Sequence, residues 1–293
     1  MKTSQKHRLF AHLYFLQNKQ VNLLILASFK WIYDIMKVVI FAGGLGTRIA
    51  EETDTRPKPM VEIGGKPVLW HIMKIYSHYG FNEFIVCLGY KGYVIKEYFM
   101  NYFLHNADLT IDVANNKVEI HDAGSEAFKV TLVETGASTK TAGRLQRVKK
   151  YIGNEDFMLT YGDGVADIDI PALLAFHKAH KKIATVTAVQ LEARFGGMEL
   201  ASDGNVVSFR EKAKDESKWI NAGFFVLSPK VFDYLQEDMT DTMWEDTPLE
   251  RLTHNNELSA YRHTGFWKPM DALRDKIELE TMWQHNKAKW KLW

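Results

Sequence analysis

The feature that most constrains the fold is a short apolar run, Val38 to Phe41, which leads directly into a glycine-rich stretch. Strands that are apolar on successive positions, without alternation, are typical of parallel sheets covered by helices on both faces. The glycines between positions 43 and 46 lack Cβ atoms, so the backbone there can turn sharply and approach a ligand closely. We therefore predict a central parallel strand that ends in a ligand-binding loop.

Strand-like and helix-like segments alternate along most of the remaining chain. Apolar segments predict strands at 84–88, 157–160, 183–189, 205–209, 219–227 and 258–263. Amphipathic segments predict helices at 67–79, 91–103, 144–151, 171–180 and from 270 to about 284. Short alternating pieces predict a β-rich excursion at 109–113, 117–121 and 129–133. Together these segments predict one α/β domain over residues 36–293, with an open, mostly parallel sheet.

The overall composition excludes several classes of protein. Hydrophobic residues make up 46% of the chain and charged residues 25%, which is typical of a soluble globular protein. The formal net charge is only +1, so we predict neither a nucleic-acid partner nor a membrane surface. The single cysteine, Cys87, lies in an apolar run, and we expect it in a buried strand. A chain without disulfides fits a reducing cytoplasm.

The first 35 residues differ in character from the rest of the chain. A basic start precedes an apolar run at 21–29, as in a signal peptide, but polar residues separate the two and no small-x-small cleavage site comes after the run. The run is also shorter than the roughly 20 residues that span a bilayer. Met36, directly before the first predicted strand, is a second and more natural candidate for the initiator methionine. We expect residues 1–35 to be an extension upstream of the true start, or a poorly ordered arm.

The glycine loop and the two cations after it predict a triphosphate site. Gly43, Gly44 and Gly46 do not have the spacing of the dinucleotide fingerprint, and the Gly-Lys-Ser/Thr of a Walker loop is missing. Arg48 follows the loop at once, and prolines on both sides of Lys58 fix where its ammonium points. Free backbone N–H groups at the end of a parallel strand bind anions. The combination therefore predicts a cradle that holds several phosphates.

Two aspartates have alternative interpretations. Asp163 lies between two glycines at the end of a predicted strand, where it could bind a hard metal ion or cap its own turn. Asp271 precedes the last predicted helix and is well placed to cap it.

The tryptophans between Trp283 and Trp293 are expected to pack in the core or to anchor a subunit interface.

The stretch Gly43 to Arg48, followed by Pro57 to Pro59, resembles the sugar-1-phosphate nucleotidyltransferase family. The resemblance implies a single Rossmann-like nucleotidyltransferase domain with a mixed, mostly parallel sheet and helices on both faces. It implies catalytic roles for Arg48, Lys58 and Asp163, and a Mg²⁺ site formed by Asp163 and Asp271. It also implies nucleotide contacts from Phe41, Ala42, Gly43, Gly44, Leu45, Gly46, Thr47, Arg48, Lys58, Thr139, Arg144 and Gly162. By the same resemblance the sugar phosphate is bound by Glu211, Lys212, Asn221 and Gly223.

Within this family, residues 36–293 resemble the cytidylyltransferases, through the segments 58–67, 89–93, 139–144 and 265–271. One departure is Ala142, where the pattern favours glycine. This resemblance implies CTP and glucose 1-phosphate as substrates, a product used for dideoxyhexose and O-antigen synthesis, and a homohexamer. Two alternatives stay open. One is a thymidylyl- or uridylyltransferase, and the other is an inactive nucleotide-sugar-binding regulator, although such proteins typically lose the Arg, the Lys or a metal-binding Asp.

Overall fold

Strand β1, Lys37–Ala42, lies near the centre of the sheet, and its side chains alternate between two cores. Val38 and Ile40 pack into one core, whereas Val39 and Phe41 pack into the other. The continuous apolar run therefore reflects burial on both faces of the sheet, as predicted. The computed structural model describes residues 36–124, 126–190, 197–202, 205–210 and 218–293.

The strands of the described residues are numbered from β1 in chain order. They are β2 (Glu62–Ile63), β3 (Lys66–Pro67), β4 (Glu83–Leu88), β5 (Ala107–Asp112), β6 (Lys117–Ala123), β7 (Lys129–Glu134), β8 (Phe157–Tyr161), β9 (Gly164–Ala166), β10 (Ala184–Val189), β11 (Gly197–Leu200), β12 (Val206–Arg210), β13 (Ile220–Leu227), β14 (Leu258–Arg262) and β15 (Trp267–Pro269).

The helices include several short ones near the predicted site. They are α1 (Ala50–Thr53), α2 (Val68–His78), α3 (Gly92–Met100), α4 (Tyr102–Asn106), α5 (Thr141–Ile152), α6 (Ile170–His180), α7 (Thr247–His254) and α8 (Leu273–Gln284), with 3₁₀ turns at Thr47–Ile49, Lys58–Met60 and Pro229–Tyr234. Across the parts of the chain that the structure describes, no helix is both long and apolar enough to cross a membrane.

The large sheet is mixed but mostly parallel. Its strand order is β14-β10-β13-β8-β1-β4-β7, and among these described strands only β13 runs antiparallel to its neighbours. Apolar residues of α2 and α6 cover one face, whereas α5 covers the other. The predicted Rossmann-like α/β class, with helices on both faces, is confirmed. The carboxyl ends of β1, β4, β7 and β8 consequently meet at one edge, where α/β sheets bind ligands.

Two predictions for the segment between 91 and 133 were wrong in part. The predicted helix over 91–103 is interrupted at Asn101, whose backbone leaves the helical region with φ −102° and ψ 8° and whose side chain donates to the Glu97 carbonyl. The piece at 129–133 belongs to β7 at the edge of the large sheet, not to the excursion. An edge strand is less completely covered than a central one, so its sequence alternates like that of a surface strand. The other two pieces form the hairpin β5–β6.

The tryptophans near the carboxyl end pack within the chain. Trp290 is fully buried, and its indole N–H donates to Nδ1 of His71 over 3.3 Å. The other ring nitrogen of His71 lies 2.8 Å from the carbonyl oxygen of Ile63, so a neutral ring satisfies both partners. Trp283 packs edge-on against the same ring. This cluster packs the carboxyl-terminal segment against helix α2.

Cys87 is buried in β4, as predicted.

The buried His71 makes the stability of the protein depend on pH. Burial lowers the pKa of His71 to about 4, although its backbone hydrogen bond opposes the shift. The unfolded chain, with a histidine pKa near 6.5, binds the proton more readily, so stability falls as the pH drops from about 6.5 towards 4. In urea unfolding, the stability advantage of the wild type over His71→Gln should shrink by about 2 kcal/mol between pH 7 and pH 5.

The matched control is His254→Gln, which removes an exposed histidine from helix α7 without touching the core. An advantage over His71→Gln that stayed the same at both pH values would show that His71 is not held neutral by its surroundings.

Candidate active site

The glycine loop after β1 is held from below by the side chain of Arg144. This arginine projects from helix α5, and only 4% of it is exposed. Its guanidinium donates to the carbonyls of Gly43, Leu88 and Gly136 at 2.9 Å each. These carbonyls follow or end β1, β4 and β7, so one side chain ties three loops together at the edge of the sheet. All the hydrogen-bond partners of Arg144 among the described residues are neutral oxygens. No carboxylate in hydrogen-bond contact therefore offsets the positive charge beneath the loop.

Position 43 requires a glycine because of this contact with Arg144. A Cβ atom there would lie 2.1 Å from Nη1 of Arg144, a distance that no side chain tolerates. Gly46 is needed for a second reason, because its φ of +66° belongs to the left-handed region. That conformation starts the 3₁₀ turn Thr47–Ile49, which carries Arg48 to the rim of the site. Arg48 is exposed there, with 78% of its side chain accessible.

Lys58 forms the charged centre of the site. Its ammonium lies 2.6 Å from Oδ2 of Asp163 and 2.7 Å from Oδ1 of Asp271. Arg48 approaches the second carboxylate more loosely, at 3.5 Å. Burial by itself would lower the pKa of Lys58, but the two carboxylates outweigh it, so the pKa is raised and the side chain keeps its charge.

The pairing of β9 with β15 brings the two aspartates together. Gly164 opposes Pro269 in this antiparallel pair, so the residue before one strand lies beside the residues after the other. The backbone N–H of Met270 accordingly donates to the Asp163 carbonyl over 2.8 Å. The interpretation of Asp271 as a helix cap was wrong. Helix α8 begins at Leu273, and Asp275 accepts the backbone N–H of Asp271, whose own carboxylate turns to Lys58.

Two cavities meet at these carboxylates. The larger has a volume of about 580 Å³ and extends from the glycine loop to the segment at 137–144. The smaller, about 210 Å³, lies beside Asn221 and Trp267. Both are lined by Tyr161, Asp163 and Asp271. A charged centre shared by two cavities can bring groups from two bound molecules into contact.

Most of the predicted binding residues line these cavities. In the larger cavity lie Phe41, Gly43, Gly44, Leu45, Gly46, Thr47, Arg48, Lys58, Thr139, Arg144, Gly162, Asp163 and Asp271, and in the smaller one lie Asn221, Asp163 and Asp271. Ala42 is buried at the end of β1 and lines neither cavity. Gly223 packs under the ring of Tyr161, where a Cβ atom would lie 2.4 Å from Cδ2. Glu211 and Lys212 lie outside the described residues.

The sequence interpretation missed the wall between the cavities. The phenol of Tyr161 donates to Glu245, and Thr141 donates to the same carboxylate over 2.9 Å. Burial, reinforced by the Glu245 charge, raises the pKa of Tyr161, so the phenol stays protonated. Tyr161 follows an apolar strand directly and could have been found there as a strand-end residue. Glu245 carries no local signal, because it lies in a loop about 80 residues further along the chain.

Comparison with known proteins agrees with this architecture. A family model described as nucleotidyl transferase matches residues 37–278, and the chain belongs to that family. Glucose-1-phosphate cytidylyltransferase from Salmonella typhimurium is 56% identical over 259 residues, which are 88% of this chain and 100% of that protein. Mannose-1-phosphate guanyltransferase from Saccharomyces cerevisiae is 25% identical over 87% of this chain and 66% of its own length.

The fold recurs in solved structures of low sequence identity. The crystal structure of HddC from Yersinia pseudotuberculosis complexed with GMP-PN superposes with a TM-score of 0.61 at 23% identity, over 85% of this chain and 99% of that one.

Two neighbouring glycines of the loop should differ in their tolerance of a methyl group. Gly43→Ala forces a Cβ atom into the Arg144 guanidinium, whereas the same change at Gly44 meets nothing within 4 Å. We expect Gly43→Ala to lower the free energy of unfolding by about 1–3 kcal/mol, as other overpacked sites do. Gly44→Ala should stay within about 0.5 kcal/mol of the wild type in the same denaturation experiment. Equal losses in the two variants would contradict the proposed contact.

Proposed function

We propose that the protein transfers the cytidylyl group of CTP to α-D-glucose 1-phosphate, with CDP-glucose and pyrophosphate as products. The observation that carries this proposal is the pair of cavities that meet at Asp163, Asp271 and Tyr161. Transfer of a nucleotidyl group requires that the attacking oxygen of one bound molecule lie beside the reacting phosphorus of the other. The choice of nucleotide and sugar is supported by the Salmonella typhimurium relative, whose name states that reaction.

Transfer of the cytidylyl group requires charge stabilisation more than proton transfer. An oxygen of the sugar phosphate attacks the α-phosphorus of CTP, and a new phosphorus–oxygen bond forms in line with the one that breaks. The electron pair of the broken bond leaves on pyrophosphate. Because the attacking oxygen is already an anion, no general base is needed. The obstacles are the repulsion between two anions and the charge that develops on the leaving group.

The two cations of the site address these obstacles from different positions. Lys58 lies deep in the site, against carboxylates that line both cavities, so we infer that it faces the α-phosphate. Arg48 lies exposed on the rim of the larger cavity, so we infer that it neutralises the outer phosphates. The glycine loop between them contributes backbone N–H groups above the buried charge of Arg144.

Asp163 and Asp271 fit a Mg²⁺ ion. Both carboxylates already converge on a single cation, the Lys58 ammonium, and Mg²⁺ prefers one or two carboxylates together with substrate phosphates and water. The described residues contain no larger group of His, Cys, Asp and Glu side chains that could hold a metal ion. When bound, Mg²⁺ supplies positive charge that offsets the phosphate charges.

The smaller cavity is proposed as the acceptor site. Asn221 offers amide hydrogen-bonding groups there, and the indole of Trp267 offers an apolar wall. Glu211 and Lys212, which lie outside the described residues, remain proposed ligands of the sugar hydroxyls and its phosphate. The homohexamer, the cytoplasmic location and the supply of CDP-glucose to O-antigen synthesis likewise remain proposals from the resemblance.

The nucleotide assignment is tested by pyrophosphate release with glucose 1-phosphate and either CTP, UTP or dTTP. We expect kcat/KM for CTP to exceed that for the other two by about tenfold or more. The segment at 139–144, which resembles the cytidylyltransferases, lines the larger cavity, which we assign to the nucleotide. Comparable turnover with UTP or dTTP would favour the thymidylyl- or uridylyltransferase alternative. No turnover with any of them would favour an inactive binding protein.

The metal assignment is tested by Asp163→Asn and Asp271→Asn. Each change removes one carboxylate charge, and we expect kcat to fall on the order of a hundredfold, as it does when one stabilising group of a reaction site is lost. Both variants should also need more Mg²⁺ for half-maximal activity. Asp108→Asn, in the hairpin β5–β6, is the control and should behave as the wild type. An unchanged Mg²⁺ requirement in both site variants would contradict the assignment.

A further inference from the structure

A chain of hydrogen bonds crosses the wall between the two cavities. Thr141 Oγ1 donates to Oε2 of Glu245 over 2.9 Å, and the phenol of Tyr161 donates to Oε1 of the same carboxylate. Nδ2 of Asn221 in turn donates to the phenol oxygen over 3.0 Å. The chain ends where Oδ1 of Asn221 accepts the backbone N–H of Gly223 over 2.7 Å.

The two ends of this chain lie in different cavities. Thr141 and Glu245 line the larger cavity, which we assign to the nucleotide, and Asn221 lines the smaller one. Tyr161 lines both. The chain therefore joins Thr141 and Glu245, at the proposed nucleotide cavity, to Asn221, at the proposed acceptor cavity.

The tyrosine ring in the middle has little freedom. It stacks on Phe41, with ring centroids 6.1 Å apart, and meets Phe225 edge-on at 6.0 Å. Gly223 leaves room for it by lacking a Cβ atom. The hydrogen of its phenol goes to Glu245, and its oxygen accepts from Asn221. The orientation of the Asn221 amide is then determined from both of its ends.

Glu245 suits the centre of this chain because an ionised carboxylate only accepts hydrogen bonds and can accept from two donors at once. Its own position is also restrained. The backbone N–H of the preceding residue, Trp244, donates to Thr141 Oγ1 over 2.7 Å, and the indole of Trp244 is fully buried. An acidic side chain in a cavity meant for a triphosphate is otherwise unfavourable, since like charges repel. The two hydrogen bonds that its carboxylate accepts point instead to a role in holding Thr141 and Tyr161.

We propose that Glu245 is a positioning residue for the sugar phosphate: acting through the Tyr161 phenol, it holds Asn221 in the orientation that binds the acceptor. This proposal rests on the proposed function, because it takes the smaller cavity as the acceptor site. Loss of the chain should then weaken acceptor binding while nucleotide binding is retained.

The test compares the kinetics of Tyr161→Phe, Glu245→Ala and the double variant with the wild type. Each single change should raise KM for glucose 1-phosphate about fivefold, the effect of one lost hydrogen bond, while KM for CTP stays within twofold. The double variant should be no worse than either single one, because both remove the same link. Glu245→Gln keeps a carbonyl oxygen for the phenol and should restore KM for the sugar phosphate to within about twofold.

Tyr102→Phe is the matched control, since it removes a phenol whose oxygen accepts from the indole of Trp70, outside both cavities. Thermal unfolding of every variant separates loss of the link from loss of the fold. Equal rises in both KM values, additive effects in the double variant, or no rise at all in Tyr161→Phe would each overturn the proposal.

Failure of the proposed function is distinguishable from these outcomes. It would appear in the wild type, as an absence of turnover with CTP. The same KM comparison is then made with whichever nucleotide the wild type uses. If it uses none, the dissociation constants of the variants for glucose 1-phosphate and for CTP are compared instead, so the role of Glu245 is tested in every case.

Discussion

The hydrogen bonds of the buried Arg144 guanidinium hold together the loops that form the site. The guanidinium lies beneath the edge of the sheet and donates hydrogen bonds at the ends of three neighbouring strands, with Gly43, Leu88 and Gly136 as acceptors. A buried cation is costly unless its donors are satisfied, and here carbonyl oxygens satisfy them without cancelling the charge. The loops are thereby held in one arrangement, and the charge favours an anion above them. By resemblance this residue contacts the nucleotide. In the structure its guanidinium supports the glycine loop, to which the same resemblance assigns nucleotide contacts.

The reversed direction of strand β13 in the large sheet is a second constraint on the site. Strand β13 lies between β8 and β10 and runs against both, so its first residues lie at the edge where the parallel strands end. That reversal brings Asn221 beside Tyr161. A parallel strand in the same place would have carried Asn221 to the opposite edge, away from the aspartates.

Charge is balanced closely at the junction of the two cavities. Lys58 is held by two carboxylates, so the site keeps a positive group in place and keeps Asp163 and Asp271 close together. The arrangement is typical of phosphoryl transfer, in which positioning and electrostatic stabilisation do most of the catalysis. Glu245 stands apart from this balance, because hydrogen bonds from Thr141 and Tyr161 occupy its carboxylate.

Features that depend on neighbours along the chain could be predicted from the amino-acid sequence. The apolar run of β1 predicted burial on both faces, and the glycines with Arg48 and Lys58 predicted an anion-binding edge, because local backbone freedom and local charge suffice for both inferences. Pairings between distant segments had no such local signal. Long-range packing places β7 in the large sheet and turns Asp271 to Lys58 instead of leaving it to cap α8. Tertiary packing alone also placed Glu245 against Tyr161, since contacts between residues so far apart in the chain are set by strand register and core packing, which the order of residues within one element does not reveal.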